Sequence, residues 1–179
     1  LDRAGFRRQP SPVRYIEMLE TIHVEEGDKH AALRPCDRFE MRMEIDFPSA
    51  AIGNQAVDFV VDEPTFRKEI MAARTFGFAH EVEALRQAGL ARGGSLENAV
   101  VIDGDDILNP GGLRMEREFV RHKALDAIGD LYVLGAPLLG RYEGYKAGHA
   151  LNNKLVRALL AAPHAWREVT HVPEMAEAG

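Results

Sequence analysis

The feature that most restricts the fold is a strict alternation of charged and apolar residues between residues 38 and 47. The charged residues are Arg38, Glu40, Arg42, Glu44 and Asp46, and the apolar residues are Phe39, Met41, Met43, Ile45 and Phe47. Successive side chains of a β-strand point to opposite faces of the sheet, so this segment predicts a strand with one apolar and one charged face. The fold must therefore cover one face of a sheet and leave the other in water.

Shorter patterns on both sides of this strand give the fold class. The segments Ile22 to Glu25 and His30 to Leu33 flank a Glu-Gly-Asp turn and predict a hairpin. Further predicted elements are strands over 56–61, 98–102 and 138–145, and helices that begin at Pro64 or cover 81–87, 116–134 and 147–160. The sequence predicts an α+β fold, in which helices pack on one face of a mixed or antiparallel sheet.

Composition and charge exclude several classes of protein. With 46% hydrophobic and 28% charged residues, the 179-residue chain is typical of a globular protein of one sizeable domain. A net charge of -6 argues against nucleic acid as the main partner. No apolar run is long enough to span a bilayer or resembles a signal peptide. The single cysteine, Cys36, fits a reducing compartment, so we expect a cytoplasmic protein and not an integral membrane protein.

Candidate metal ligands lie on the long predicted helix. His122 and Asp126 are four residues apart and project from nearly the same side, so both can reach one divalent cation such as zinc. The same spacing also occurs on solvated helix faces that bind nothing. Asp130 lies one further turn along, after Gly129, a residue that needs a packing or access reason inside a helix because it destabilises helices.

Three segments together carry a resemblance to a known family. They cover residues 73–78, 119–131 and 145–153, and they include Phe-Val-Arg-His-Lys at 119–123 and Gly-His-Ala-Leu-Asn-Asn at 148–153. These segments resemble the signature stretches of the UDP-3-O-acyl-N-acetylglucosamine deacetylases, the LpxC family of lipid A synthesis. The resemblance extends from Arg14 to about Trp166. It implies the tail of a first domain over 1–17, a second domain over 18–166 with a strand-helix-strand insert at about 77–102, and a polar tail over 167–179.

The resemblance implies a catalytic role for five residues. His122 and Asp126 match two of the family's three zinc ligands, and His149 matches its catalytic histidine. Asp130 matches the carboxylate that pairs with that histidine, and Thr75 matches a threonine that assists at the oxyanion. A carboxylate beside an imidazole favours its charged form and fixes its orientation. The implied reaction is hydrolysis of an acetamide on glucosamine with release of acetate, in which zinc lowers the pKa of a bound water to about 7.

The resemblance also implies where the UDP-acyl-sugar substrate binds. The matched substrate-binding residues are Phe76 and Lys123 in the sugar and nucleotide region, Lys146 near the diphosphate, and Phe47 with Asp46 in the uridine pocket. Gly94, in a Gly-Gly pair, is a further substrate-binding candidate because a glycine lets a ligand approach the backbone closely, although such a pair is also common in turns that bind nothing. The insert matches a hydrophobic passage for the fatty acyl chain, with Ala79, Val82, Ala91 and Val101 as lining. Ordinary core packing is an alternative explanation for these four apolar residues.

One part of the family's site has no counterpart in this sequence. In the family, a first domain supplies the third zinc ligand, a histidine, and an adjacent glutamate that acts as general base. No Glu-His pair occurs in the chain, which begins with Leu1 and is expected to start partway through a larger protein. We therefore expect weak zinc affinity and little activity from this chain without that domain as its partner. Two hypotheses stay open: a fragment of an active hydrolase, or a shortened non-catalytic module that binds an acyl chain or a nucleotide sugar.

Overall fold

The structure is a computed structural model that describes Gly5, residues 11–89 and residues 92–171. The described strands are β1 (Val13–Met18), β2 (Ile22–Glu26), β3 (Lys29–Arg34), β4 (Phe39–Asp46), β5 (Asn54–Val60), β6 (Thr75–Phe78), β7 (Ala99–Asp103), β8 (Asp106–Ile107), β9 (Leu138–Tyr145) and β10 (Trp166–His171). The described helices are α1 (Glu63–Thr65), α2 (Ala79–Gln87), α3 (Glu118–Leu131) and α4 (His149–Leu160), with a π-helical turn at Phe66–Ile70 and a 3-10 turn at Tyr132–Leu134. No helix in these ranges is long and apolar enough to cross a membrane.

Seven strands form one mixed sheet around β9. Strand β9 is parallel to β1 and β4 and antiparallel to β3, while β2, β5 and β10 pair with β3, β4 and β1, respectively. Every second residue of β9 is buried, as expected for a central strand with helices on one side. The predicted α+β class and the predicted mixed sheet are confirmed.

Strand β4 confirms the prediction from the alternating segment. Met41, Met43 and Ile45 are at most 1% exposed, and they lie in the hydrophobic core. On the other face, Arg42 lies opposite Asp58 of β5 and Glu143 of β9, so the charged row forms a cross-strand network of opposite charges. Such exposed pairs stabilise a sheet only modestly, because water and salt screen them. Burial of the apolar row therefore determines which face the helices cover.

Helices α3 and α4 cover the apolar face of the sheet. Helix α3 packs against β4 and β5, α4 packs against β2 and β3, and the two helices contact each other. The buried residues of the two helices are Glu118, Phe119, Val120, Ala124, Ala127, Ile128 and Leu131 on α3, and Leu151, Asn152, Leu155, Val156 and Leu159 on α4. This arrangement brings the C-terminal half of α3 beside the N-terminus of α4, where the predicted catalytic residues lie.

The insert and the hairpin have the predicted layout. Strands β6 and β7 are parallel and are joined through α2, and β8 pairs antiparallel with β7. Strands β2 and β3 form the predicted hairpin, and its turn contains Gly27 at a φ of 62°. Glycine adopts this left-handed conformation without the steric cost that a Cβ atom adds.

Two strands at the ends of the described chain are not predicted from the sequence pattern. Strand β1 pairs with β10 over all six residues of each, and both belong to the main sheet. Thus residues 13–17 and 167–171, predicted as parts of two tails, form strands. Arg167 and Glu168 are adjacent and place charges on both faces of β10, so no apolar alternation shows in the sequence. The pairing with β1 accommodates one of them: Arg167 Nε lies 2.5 Å from an oxygen of Glu17, the residue directly opposite.

Candidate active site

Helix α3 brings His122 and Asp126 together as the sequence predicts. His122 Nε2 lies 3.3 Å from Asp126 Oδ1, and the two side chains are 15% and 16% exposed. The other ring nitrogen, Nδ1, lies 3.4 Å from the carbonyl oxygen of Ala73. A hydrogen bond donated from Nδ1 to this carbonyl leaves a lone pair on Nε2, the protonation state in which histidine binds a metal.

The separation of these two atoms fits neighbouring ligands of a tetrahedral zinc ion. Zinc–nitrogen and zinc–oxygen bonds of about 2.0–2.2 Å place two ligand atoms about 3.3–3.6 Å apart at a tetrahedral angle. Within the part of the chain that the structure describes, no group of three or more His, Cys, Asp or Glu side chains could hold a metal. The described residues therefore offer two candidate ligands for a zinc ion, fewer than the three protein ligands of a catalytic site.

A second histidine–carboxylate pair links α3 to α4. His149 is the first residue of α4, and its Nδ1 lies 2.9 Å and 3.0 Å from the two carboxylate oxygens of Asp130. An ionised carboxylate only accepts hydrogen bonds, so Nδ1 of the imidazole donates. His149 Nε2 lies 4.0 Å from Asp126 Oδ2, which joins the two pairs into one cluster. The His149 side chain is 69% exposed, so Nε2 is accessible to a substrate.

Lys123 adds a positive charge to this cluster. Its Nζ lies 3.1 Å from Asp126 Oδ2, and its side chain is 19% exposed. A Cβ atom on Gly148, the residue before α4, would lie 3.8 Å from the same Nζ. Lys123 therefore lies between α3 and the N-terminus of α4, on the same side as the two histidines.

Strand β6 brings an aromatic side chain to the metal-ligand candidates. The ring of Phe76 makes edge-to-face contacts with His122 at 6.3 Å, with Phe119 at 5.0 Å and with Phe47 at 5.7 Å between ring centroids. Thr75, the preceding residue, is exposed. The predicted substrate residues Phe47 and Phe76 therefore contact each other, and Phe76 also contacts one of the predicted zinc ligands.

Lys146 is held by two carboxylates at the end of β9. Its Nζ lies 2.9 Å from Asp28 in the hairpin turn and 3.1 Å from Asp46 at the end of β4. The hydrogen bond to Asp28, followed by that to Asp46, raises the pKa of this ammonium group above its ordinary value. Asp46 precedes Phe47, so Lys146 lies on the Phe47 side of the cluster.

A cavity of about 370 Å³ lies in the insert beside Thr75 and Phe76. Four of the residues predicted to bind the substrate or its acyl chain line it: Phe76, Val82, Gly94 and Val101. Ala79 is half-buried at the start of α2 and is absent from the described lining, and Ala91 lies outside the described residues. Two larger clefts, of about 660 and 750 Å³, are lined by other residues.

A buried ion pair next to the site is not predicted from the sequence. Arg74, the residue before Thr75, donates from Nε and Nη2 to the two carboxylate oxygens of Glu118 at 2.9 and 3.0 Å. The backbone N–H groups of Arg74 and Arg114 donate to the same carboxylate at 2.9 and 2.7 Å. Burial raises the pKa of Glu118, but these hydrogen bonds outweigh it and hold the pKa below its ordinary value. The pair fixes the start of β6 against the first turn of α3.

The roles of the predicted site residues stay predictions, but the structure brings most of them together. His122, Asp126, Asp130, His149 and Lys123 form one cluster at the contact between α3 and α4. Imidazole and carboxylate groups arranged in this way on an α+β domain are of the kind that can bind a metal ion or transfer protons. Comparison with known protein families covers enough of the chain to assign it to one of them.

The chain belongs to the LpxC family, described as UDP-3-O-acyl N-acetylglycosamine deacetylase, whose model matches residues 1–161. It is 66% identical over 178 residues to the UDP-3-O-acyl-N-acetylglucosamine deacetylase of Phenylobacterium zucineum (strain HLK1), with 99% of this chain and 61% of that protein covered. It is 50% identical over 176 residues to the enzyme of that name from Shewanella sp. (strain W3-18-1), with 97% and 58% covered. For the enzyme of that name from Pseudomonas entomophila (strain L48), identity is 48% over 171 residues, with 94% and 56% covered. The chain thus spans about three-fifths of the length of these relatives.

Proposed function

We propose that this chain takes part in zinc-dependent hydrolysis of the N-acetyl group of UDP-3-O-acyl-N-acetylglucosamine, with release of acetate, in lipid A biosynthesis. The observation that carries the proposal is the cluster at the α3–α4 contact, in which Asp126 lies 3.3 Å from His122 and 4.0 Å from His149. The 66% identity to a protein named as this deacetylase supports the choice of substrate.

His122 Nε2 and Asp126 Oδ1 would hold the zinc ion in this proposal. When bound, zinc supplies an activated water and a positive charge for the acyl oxygen. The third ligand and the general base would come from the part of the family's chain that this sequence does not match. A catalytic zinc site has three protein ligands, so the two present here predict weak zinc binding by this chain alone.

The chain's own residues would handle the proton of the leaving group. In its protonated form, His149 donates one N–H, from Nδ1, to Asp130 and carries a second proton on Nε2 that it can give to the departing amine. Asp130 and Asp126 both lie close enough to stabilise the positive charge of a protonated His149. Thr75, exposed at the start of β6, would assist at the acyl oxygen.

The substrate's other groups have matching partners around the cluster. Lys123 and Lys146 are cations suited to phosphate oxygens, and the rings of Phe47 and Phe76 offer an aromatic surface to the nucleotide or sugar. The acyl chain would enter the cavity of about 370 Å³ lined by Val82 and Val101. This volume lies in the range of about 300–1,000 Å³ that is usual for small-molecule pockets.

Calorimetric zinc titration combined with a deacetylation assay tests the proposal. The chain is measured alone and mixed with the family's separately expressed first domain, as wild type, as His122→Ala and as His164→Ala. His164 is 70% exposed and lies 3.8 Å from Glu20, away from the cluster, so it is the matched histidine control. We expect tight one-to-one zinc binding and turnover only in the mixture, lost in His122→Ala and retained in His164→Ala.

Two other outcomes would contradict this account in different ways. Tight zinc binding and turnover by the chain alone would mean that it holds a ligand and a base not identified above. Absence of turnover in the mixture, with the substrate still bound, would favour a non-catalytic module that binds an acyl chain or nucleotide sugar.

A further inference from the structure

Two buried polar side chains behind Asp130 have no role in the function proposed above. Tyr142 on β9 and Asn152 on α4 are both 0% exposed. The Tyr142 hydroxyl lies 2.7 Å from Asn152 Oδ1, and Asn152 Nδ2 lies 2.8 Å from Asp130 Oδ2. Asp130 contacts His149 Nδ1, so a continuous row of hydrogen bonds connects the core of the sheet to the exposed imidazole.

The chemistry of the groups fixes the direction of every hydrogen bond in this row. The Asp130 carboxylate only accepts, so the amide NH₂ of Asn152 must face it, and the amide oxygen must face Tyr142. The Tyr142 hydroxyl is therefore the donor to Asn152. Burial, and then the negative charge of Asp130, raise the pKa of this hydroxyl, which keeps its proton. If the Asn152 amide were flipped, its oxygen would face the Asp130 carboxylate, which cannot donate. Its NH₂ group would then face the Tyr142 hydroxyl, whose proton would have no acceptor in this row.

The row connects three elements and restrains a side chain that would otherwise rotate. Asp130 Oδ2 is held by Asn152, and both carboxylate oxygens face His149 Nδ1. His149 is 69% exposed, so packing alone does not hold its ring. A buried polar group without a hydrogen-bond partner is costly, because it has also lost its contact with water. The row therefore favours the single arrangement in which every group is paired.

We propose that Asn152 and Tyr142 are positioning residues, which fix the carboxylate of Asp130 and thereby hold His149 with its proton on Nδ1 and with Nε2 turned to the side of Asp126. The proposal rests on the function proposed above, in which Nε2 of His149 serves the leaving amine. Neither residue is accessible to a substrate, so neither is expected to contribute to substrate affinity.

Asn152→Leu and Tyr142→Phe test the proposal with two measurements. The neutral tautomer of His149 is read from the ¹⁵N shifts of its imidazole in this chain without metal, at about pH 8.5, where an imidazole is ordinarily neutral. The kcat and KM for deacetylation are measured for the chain mixed with the family's separately expressed first domain. Asn153→Leu and Tyr132→Phe are the controls, because Asn153 is exposed on the same helix and Tyr132 is 64% exposed after α3.

In the wild type we expect the proton on Nδ1 of His149. In Asn152→Leu we expect a mixture of tautomers and a fall in kcat of about 10- to 100-fold with KM unchanged, the range typical of residues that orient catalytic ligands. Tyr142→Phe removes one oxygen atom and should show the same change to a smaller extent. Both control variants should match the wild type in tautomer and kcat.

Retention of the Nδ1 proton and of kcat in folded Asn152→Leu or Tyr142→Phe would overturn the proposal. If Asn152→Leu does not fold, Tyr142→Phe gives the answer, because it keeps the shape of the core. A parallel loss of kcat and rise in KM without a tautomer change would also overturn it, since this indicates general loosening. If the wild-type chain mixed with the family's first domain has no deacetylase activity, the proposed function fails, and the tautomer measurement still decides the role of the row.

Discussion

Carboxylates of the same helix serve two different purposes, which their surroundings distinguish. Glu118 is fully buried and receives hydrogen bonds from Arg74 and from the backbone of Arg114, so it has no capacity for a ligand. Asp126 and Asp130 are 16% and 23% exposed and face imidazole nitrogens. A buried and fully paired carboxylate is typical of a structural role, whereas a partly exposed one beside histidines is typical of a chemical role.

Glu118→Gln should therefore strongly reduce the stability of the chain. The uncharged amide leaves Arg74 buried without its counterion and sets an NH₂ group against N–H donors. We expect a loss of about 3–5 kcal/mol in the free energy of unfolding at pH 7, measured by urea titration. Glu116→Gln is the control, because that side chain is 83% exposed, and it should change little.

The same variant has an expected dependence on pH. The pKa of Glu118 is lower in the folded chain than in the unfolded chain, so its contribution is complete above the unfolded value of about 4.3. The contribution is lost as the pH falls through the lower, folded value. The stability difference between wild type and Glu118→Gln should therefore shrink in acid below about pH 4.3. A difference that stays constant down to acid unfolding would contradict the pairing.

The site residues differ in how far the sequence alone could predict them. His122 and Asp126 lie within one helical turn, so local spacing indicates their contact. Asp130 and His149 are 19 residues apart, and only the resemblance to a family paired them. Arg74 and Glu118 are 44 residues apart and have no local signature, because the packing of β6 on α3 brings them together.

At the scale of elements, the sequence predicts the strands and helices in which apolar residues recur at a regular spacing. The eight residues of β4 alternate throughout between apolar and charged side chains. On α3 and α4, buried apolar residues recur at spacings of three and four residues. Strand β6 has four residues and β8 has two, which is too short for a period to appear. Strand β10 is an edge strand with charges on both faces, and its place depends on pairing with β1.

Replacement of Gly129 in α3 tests whether a glycine at this helix position is needed for stability or for access to a cleft. A Cβ atom at this position would meet nothing within 4 Å, so packing in the described chain does not require glycine. We expect Gly129→Ala to raise the free energy of unfolding of the chain by about 0.5–1 kcal/mol, measured by urea titration, because alanine loses less conformational entropy in a helix. Gly129 also lines the cleft of about 750 Å³. If Gly129→Ala, mixed with the first domain, loses deacetylation, the glycine is needed to keep this cleft accessible.

Gly140→Ala is the contrasting variant on β9. Its Cβ would lie 2.6 Å from Met18 Cγ and 3.1 Å from the carbonyl oxygen of Arg34. We expect a loss of about 1–3 kcal/mol, typical of overpacking in a core. A stabilising Gly140→Ala, or a destabilising Gly129→Ala, would contradict the packing described for these two elements.

At the scale of the whole molecule, the hydrophobic core does not depend on a metal. One cluster of buried residues joins strands of the main sheet, both long helices and β7 of the insert, and it includes Leu33, Met43, Val100, Phe119 and Leu155. The two candidate ligands, His122 and Asp126, lie beside this core and are partly exposed. The chain should therefore fold without zinc, unlike small domains whose folding energy comes from the metal.

Zinc and chelator should consequently have little effect on the thermal midpoint of this chain alone. A ligand stabilises a protein according to the ratio of its concentration to its Kd, by about 2.7 kcal/mol when the concentration is 100 times Kd. With two ligand atoms the Kd is expected to be weak, so micromolar zinc should leave the midpoint in calorimetry almost unchanged. Mixed with the family's first domain, the chain should show a clear rise with zinc that a chelator reverses and that His122→Ala abolishes. A large zinc-dependent rise in the chain alone, abolished by His122→Ala, would reveal a third ligand within these 179 residues.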